Sequence, residues 1–440
     1  MRFKILSIFL FFSVLSVAAE SPRLTLKEFL QKSVSEGPGL LESKAKIEHS
    51  QAREKLAASL GLPTLKADYI MGVAPEATGN AVVGQTNYDN WGLAQGVGLE
   101  FVQPVFTFGA ISRAKKASRV ATEAEIALQN KEELSLRTQV AEIYYGYQLA
   151  FEFAELASSV VGKLKEARDK GKKISKTKAA DLDKLEVYIL DTQARVLEAE
   201  KALNLMRSAM GWKLGCQSVD CQPKWDSASL MQRDWTLKMD NSNGKLRESS
   251  IQNRPELFAA QKNLEARKAL LGAEESQYLP LMYIGGQLQK SWSAGRDDQE
   301  SPFAYDPLNE LKGVAGLGVR WNLGFFEKSA KVAMARAEVL KAEALLRNAS
   351  EGLRADFDRV LGDAQFYKTS LELRTQAAKI SKRVFYDSVF SFTLGTGTAK
   401  DILEALGAFG LAEKSRLETL YNYNVHEFKI AQVLGVKLEN

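Results

Sequence analysis

The chain has 440 residues, 45% of them hydrophobic and 26% charged, with 59 basic side chains against 54 acidic ones. A net charge of +5 with interspersed signs gives no charge block for nucleic acid to bind, and the apolar content excludes disordered, collagen-like and mucin-like chains. With 2 His and 2 Cys there is little material for a His-built metal site or a Cys/His dyad.

In chain order, Arg2 and Lys4 precede an uncharged apolar run from Ile5 to Val17, which ends in Val17-Ala18-Ala19. This is the pattern of a secretory signal over residues 1–19, with Glu20 opening the mature chain and no Cys at the junction to make a lipoprotein. Beyond Ala19 no uncharged apolar run approaches the ~20 residues a spanning helix requires. A membrane β-barrel stays open to such a chain, because its strands need only ~10 alternating residues.

The 10 prolines then mark out the elements. None lies between Pro104 and Pro223, and none follows Pro307. Proline in a helix interior costs about 3 kcal/mol, so these two Ala-, Leu-, Glu- and Lys-rich stretches are free to form long helices. A first repeat over 20–211 reads as a helix (about 38–60), strands (about 65–74 and 95–107), a long helix (about 111–172) and a return helix (about 179–211). A polar segment, 212–254, carries Trp212, Trp225 and Trp235 and reads as a small lateral subdomain. A second repeat over 255–440 gives a helix (about 255–278), strands (about 281–293 and 312–323), a long helix (about 328–392) and a return helix (about 399–435).

The long helices carry a 3.5-residue period. Leu136, Val140, Ile143, Tyr147, Ala150, Ala154, Ala157, Val161 and Leu164 follow 4-3-4-3 spacing, as do Leu353, Phe357, Val360, Ala364, Tyr367 and Leu371. A seam of this kind asks for a partner helix along its length, and at 1.5 Å per residue each helix is roughly 90–100 Å long. Pro38, Pro63 and the run Leu136–Ala154 recur 217 positions on, at Pro255, Pro280 and Leu353–Leu371; Gly98-Leu99 and Phe108 recur 218 positions on. The chain is therefore a tandem duplication.

In the strand sections, Met282, Ile284, Leu288 and Trp292 alternate with Tyr283, Gly285, Gln287 and Gln289. Leu317, Val319, Trp321 and Leu323 alternate with Gly316, Gly318, Arg320 and Asn322. The first copy sets Leu65, Ala67, Tyr69, Met71 and Val73 against Lys66, Asp68 and Gly72, then Val97, Leu99 and Phe101 against Gly98 and Glu100. Apolar-out, polar-in alternation is what a barrel wall in lipid requires; a soluble antiparallel sheet with one wet face shows the same alternation. The segments 75–93 and 294–310, rich in Gly, Asn and Asp, read as outer loops. Four strands cannot close a barrel and open edges are not tolerated in lipid, so closure requires oligomerisation; three chains supply twelve strands.

These features resemble the TolC family of outer-membrane efflux and secretion ducts over essentially the whole mature chain. The resemblance rests on Gln103-Pro-Val-Phe-Thr-Phe-Gly109 at the strand exit, Leu394-Gly-Thr-Gly-Thr-Ala-Lys-Asp-Ile-Leu-Glu-Ala405 at the far turn, and Tyr421-Asn-Tyr-Asn-Val425 followed by Leu434-Gly435. It implies a mainly α fold with a membrane β part: a homotrimer whose twelve-stranded outer-membrane barrel continues as an α-helical barrel through the periplasm. It also implies docking onto a periplasmic adaptor and an inner-membrane transporter, and a passive conduit without catalysis, cofactor or metal. Three departures stand out. The second strand exit is Trp321-Asn-Leu-Gly-Phe-Phe326, without Pro. The first tip turn, Lys172 to Asp181, lacks the family's Gly. Phe392 and Gly397 stand where members with an ion-pair lock carry an aromatic hydroxyl and an Arg.

The candidate site residues follow. Asp401 and Glu404 align with carboxylates that line the narrow periplasmic end in the family and would form a six-carboxylate ring in a trimer; Thr398-Ala-Lys-Asp401 equally fits a helix capping box. Leu394, Gly395, Thr396, Lys172 and Lys173 are the expected adaptor-docking tip. The basic run from Lys163 to Lys178 around them also fits a solvated helix C-terminus. Cys216 and Cys221 are expected to form a disulfide in an oxidising compartment. His49 and His426 read as structural or exposed. The rival reading is a soluble periplasmic coiled-coil adaptor or scaffold. Drug efflux, metal efflux and type I protein secretion all fit the duct.

Overall fold

A computed structural model describes residues 24–79, 82–173, 178–216, 229–236, 245–297 and 306–438. The expected signal over 1–19, Trp225 and Cys221 lie outside the described residues. In chain order the elements are α1 (Leu26–Ser35), a short 3₁₀ turn (Pro38–Leu40), α2 (Leu41–Ser59), β1 (Thr64–Gly79), β2 (Gly84–Phe106), α3 (Ala110–Gly171) and α4 (Ala179–Lys213). They continue with α5 (Lys245–Asn253), α6 (Pro255–Ser276), β3 (Leu281–Ser293), β4 (Leu311–Arg320), α7 (Phe325–Thr393) and α8 (Ala399–Leu434).

Helices α3 and α7 have 62 and 69 residues, close to 90 and 100 Å at 1.5 Å per residue. Nearer the sheet the helices lie in the order α2, α3, α6, α7; towards the far turns the order is α4, α3, α8, α7. The seam predicted from the 3.5-residue period is where the burial falls: Leu136, Val140, Tyr147, Ala150, Val161 and Leu164 of α3 and Leu353, Phe357, Val360, Ala364 and Leu371 of α7 are all buried. One apolar cluster joins α1, α3 and α8 around Phe29, Val140, Leu417 and Phe428. A second lies at the far end, where Val160 and Leu164 of α3 meet Leu185 and Ile189 of α4 and Phe385, Ile402 and Phe409 of the second copy.

Local signals fix the helix ends. Thr25 and Glu28 form a capping box at the start of α1, which the sequence reading left unassigned. Pro255 opens α6 at a position where its missing N–H costs nothing, and the buried Arg254 before it pairs with Glu256 at 2.9 Å and Asp356 at 3.5 Å. Gly435 ends α8 in the left-handed conformation, φ 70°. The two strand exits bend differently. The first passes through left-handed Phe108 (φ 51°) and Gly109 (φ 87°). At the second, Gly324 has φ −71° and its N–H donates to the Asn322 side-chain oxygen at 2.9 Å.

Two elements differ in extent from the sequence reading. The segment 75–93 is mostly strand: β1 and β2 stay paired from Thr64↔Val102 out to Gly79↔Gly84, with a register shift at Pro75/Glu76. Its Gly and Asn residues suit a turn, but cross-strand pairing overrides that propensity. The polar segment before Pro255 contains α5, and its described part 229–236 is an extended strap on α8. Trp235 stacks on Tyr423 (ring centroids 4.5 Å apart) and donates to the Tyr423 carbonyl at 3.2 Å. Trp212 belongs to α4 and is exposed.

His426 of α8 is buried, with a ring nitrogen donating to the Val360 carbonyl at 2.7 Å and Tyr367 beside the ring. Burial holds its pKa below the usual 6.5, against the pull of that hydrogen bond and of Asp363; Lys429 and Arg359 push the same way as burial. The folded protein therefore binds this proton less readily than the unfolded chain. Stability from His426 is complete above pH 6.5 and is lost as pH falls below it. Thermal unfolding in detergent between pH 8 and 5 should show this loss, and His426→Gln should flatten that part of the pH dependence.

Candidate functional site

The four strands form one antiparallel sheet in the order β1-β2-β3-β4, and its register sorts the alternation into two faces. One face carries rows of directly opposed residues: Tyr69, Val97, Lys290 and Leu311; Ala67, Leu99, Leu288 and Gly313; Leu65, Phe101, Gly286 and Ala315; then Ile284 with Leu317 and Met282 with Val319. The other carries Asp68, Gly98, Gln289 and Lys312, then Lys66, Glu100, Gln287 and Val314, then Tyr283 with Gly318. Every polar residue named from the alternation within these strands falls on this second face.

The apolar face is bare. Leu65 is 71% exposed and Leu317 85% exposed, and an apolar patch of this size on a soluble protein marks an interaction surface. From the row of Gln95 and Trp292 to that of Phe106 and Met282 the band spans about 26 Å, for strands of ~3.4 Å per residue tilted by about 45°, which matches the hydrocarbon band of a membrane barrel. Tyr69 and Trp292 sit at one rim, Phe106 at the other. Among the described residues neither edge strand, β1 or β4, pairs with a further strand on its outer side; β1 makes one isolated bridge, from Ala77 to Arg296. No helix among the described residues is long and apolar enough to cross a membrane.

At the far end the chain makes two turns. Lys172 is the C-cap of α3, and Lys173 follows. Lys163 and Lys170 pair with Glu166 at 3.1 and 2.8 Å, and Arg168 pairs with Asp169 and Glu186. Lys165, Lys172, Lys173 and Lys178 have no carboxylate within 4.0 Å among the described residues, so a cationic cluster survives around the first turn. In the second turn Leu394 is the exposed C-cap of α7. Gly395 takes φ 77°, and the Thr396 N–H donates to the Ser391 carbonyl at 3.1 Å. The two turns meet through Phe392. Its buried ring lies against Gly171, where an added Cβ would stand 3.0 Å from the ring and 3.2 Å from Leu182.

Asp401 and Glu404 both lie in the opening turns of α8 but in different settings. The Asp401 carboxylate turns back to accept from the Thr398 N–H at 2.9 Å and hydroxyl at 2.8 Å, and the Asp401 N–H donates to the Thr398 hydroxyl at 3.3 Å. These hydrogen bonds, the hydroxyl's first, hold its pKa below the usual carboxylate value. Glu404 points into solvent, 3.6 Å from Lys400. Cys216 follows α4 and is disulfide-bonded; its expected partner, Cys221, lies outside the described residues.

One polar centre escaped the sequence reading. Glu427, fully buried in α8, pairs with Arg233 and accepts from the Thr236 N–H at 2.6 Å and hydroxyl at 2.9 Å. The neighbouring Asn424 accepts from the Arg233 N–H at 3.0 Å and donates to the Met231 carbonyl at 2.8 Å. Together they clamp the inter-repeat strap to the last helix. The available signal was weak: a carboxylate between His426 and Phe428, in a stretch that also carries Lys429 and Gln432. Nearby, burial first and then Glu142 push the Tyr421 hydroxyl up to about 12.

The model of the outer membrane efflux protein family matches residues 246–436, from α5 to the end of α8, and the first repeat copies that unit. This match covers the second repeat and less than half of the chain. No curated protein matches it. Among solved structures the chain is similar to the outer-membrane channel OprN, at 18% identity and TM-score 0.75 over 94% of this chain and 90% of that one. It is also similar to the open state of the MtrE outer membrane channel of Neisseria gonorrhoeae, at 15% identity and TM-score 0.75 over 95% and 94%. The CmeC outer membrane channel of Campylobacter jejuni matches at 14% identity and TM-score 0.77 over 93% and 85%. At these identities the likeness is one of fold.

The Phe392 contact yields a direct test. Phe392→Ala should leave a cavity between the turns at a cost of about 3–5 kcal/mol. Hydrogen exchange should then speed up in residues 160–171 and 182–190 while the strand section keeps its protection.

Proposed function

We propose that three copies of this chain form a passive duct of a tripartite efflux or type I secretion machine, running from the outer membrane through the periplasm. The observation that carries this reading is the sheet: four strands with one mostly apolar face, one mostly polar face and two edge strands, joined directly to helices near 100 Å long. In lipid the edges must be paired, and twelve strands from three chains close a barrel with the polar face inside. The exposed surface supports the same reading. The chain exposes 27979 Å², whereas a compact monomer of 48.7 kDa exposes about 16,600 Å². A soluble adaptor or scaffold would account for the helices but would leave the apolar sheet face in water.

Within this duct the helical far end is the periplasmic tip. The cationic first turn (Lys172, Lys173) and the neutral second turn (Leu394, Gly395, Thr396) form the surface for a periplasmic adaptor, and an inner-membrane transporter supplies the energy. Asp401 and Glu404 form the periplasmic gate. Asp401 also caps α8, so Glu404 is the carboxylate free to act on ions, moderated by Lys400. A disulfide between Cys216 and Cys221 pins the start of the inter-repeat segment to α4.

Two measurements test these assignments. The purified protein should have the mass of a trimer in detergent and migrate differently with and without heating. Leu288→Arg, on the lipid face at mid-band, should cost about 2–4 kcal/mol and deplete the heat-modifiable form, whereas Gln287→Arg on the lumen face should not; a stable monomer would overturn the reading. At the gate, Glu404→Gln should lower cation selectivity in single-channel recordings while leaving helix content unchanged.

A further inference from the structure

On the polar face of the sheet most charges are matched. Lys66 lies 3.6 Å from Glu100, and Lys312 pairs with Glu310. Arg320, the last residue of β4 and opposite the first residue of β3, is different. Among the described residues it has no carboxylate within 4.0 Å; its guanidinium lies over the ring of Tyr283, 5.0 Å from the centroid.

The ring is itself held in an unusual way. Tyr283 is opposite Gly318 and lies flat across it: an added Cβ at 318 would stand 2.5 Å from the Tyr283 Cζ, and one at Gly285 would stand 3.0 Å from its Cε2. Any side chain at 318 would displace the ring. Covering the glycines needs only the aromatic ring; it does not need a cation above it. A guanidinium stacked on an aromatic face keeps its N–H edge free for planar oxyanions.

Resting on the duct reading, which places this face inside the barrel, we propose that Arg320, seated on Tyr283, is an anion-recognition site where the barrel meets the helical tunnel. Three copies around the axis form a cationic collar that recognises carboxylate, phosphate or sulfonate groups on solutes passing outward. Low-dielectric walls focus the field of such a ring and raise the local concentration of counter-ions. The collar is opposite in sign to the acidic groups at the tip and lies at the other end of the long helices.

The test is single-channel recording of the full-length protein in a planar bilayer in KCl, with citrate added from the barrel side. Citrate should block the wild-type channel. Arg320→Gln should raise the half-blocking citrate concentration about tenfold or more, within the range expected of electrostatic focusing, whereas Arg320→Lys should hold it within about twofold. Tyr283→Leu, which removes the seat and keeps the charge, should weaken the block by an intermediate factor. Heat-modifiable migration of each variant verifies that the barrel has formed. Conductance with no citrate block, or with a block that Arg320→Gln leaves unchanged, overturns the collar alone. Absence of any conductance step would overturn the duct reading and the collar with it.

Discussion

Unpaired backbone groups cannot be left in a lipid environment, and the rest of this molecule is arranged around that constraint. The described chain has one sheet, amphipathic across its thickness and open at both edges. Its apolar face cannot stay in water and its edges cannot stay in lipid. Closing the sheet with further copies satisfies both demands at once. In the proposed trimer the same symmetry gathers the four-helix layers of the copies side by side. In that proposal a requirement set by the sheet extends to helices of 62 and 69 residues.

The helices meet a different demand. Each long helix buries its 3.5-residue seam against partners within the chain, yet α4 and α7, at the two margins of the far layer, still expose Leu190, Leu197, Leu373 and Ile380. These rows suit contacts between neighbouring copies. Midway along, the two halves of the duplication are fastened by the inter-repeat strap. Its Arg233 and Thr236 satisfy a carboxylate, Glu427, that would be strongly destabilising if left alone in the core. This buried polar centre fixes one placement of the strap, since a shift by one residue would leave an unpaired charge.

At the tip, the contact between the two turns of one chain is apolar. Phe392 fills the space that Gly171 leaves beside Leu182, so the turns are held by packing, which salt does not screen. The charges lie around this contact. Among the described residues Lys165, Lys172, Lys173 and Lys178 have no carboxylate within 4.0 Å, whereas Asp401 is committed to its own helix terminus.

Much of this was legible in the sequence because periodicity is a local property. The spacing of Leu136 to Leu164 specifies a helix with a seam, the alternation of Met282 to Gln289 specifies a two-faced strand, and the recurrence at 217 positions specifies two copies of one unit. Thr398 and Asp401, three apart, were readable as a capping box for the same reason. What depended on partners distant in sequence was not readable. The segment 75–93 looked like a loop because its composition suits a turn, and only pairing between β1 and β2 extends it as strand. Glu427 looked like one more charge on a helix until Arg233, 194 positions away, was brought to it. Tyr283 and Arg320 each followed the polar alternation, but their stacking over Gly318 exists only because the register sets residue 283 opposite 318. The chain's own periodicity fixed which elements form and which face each residue takes; tertiary packing alone decided which of those residues meet, because a contact between distant residues leaves no regular spacing in the sequence.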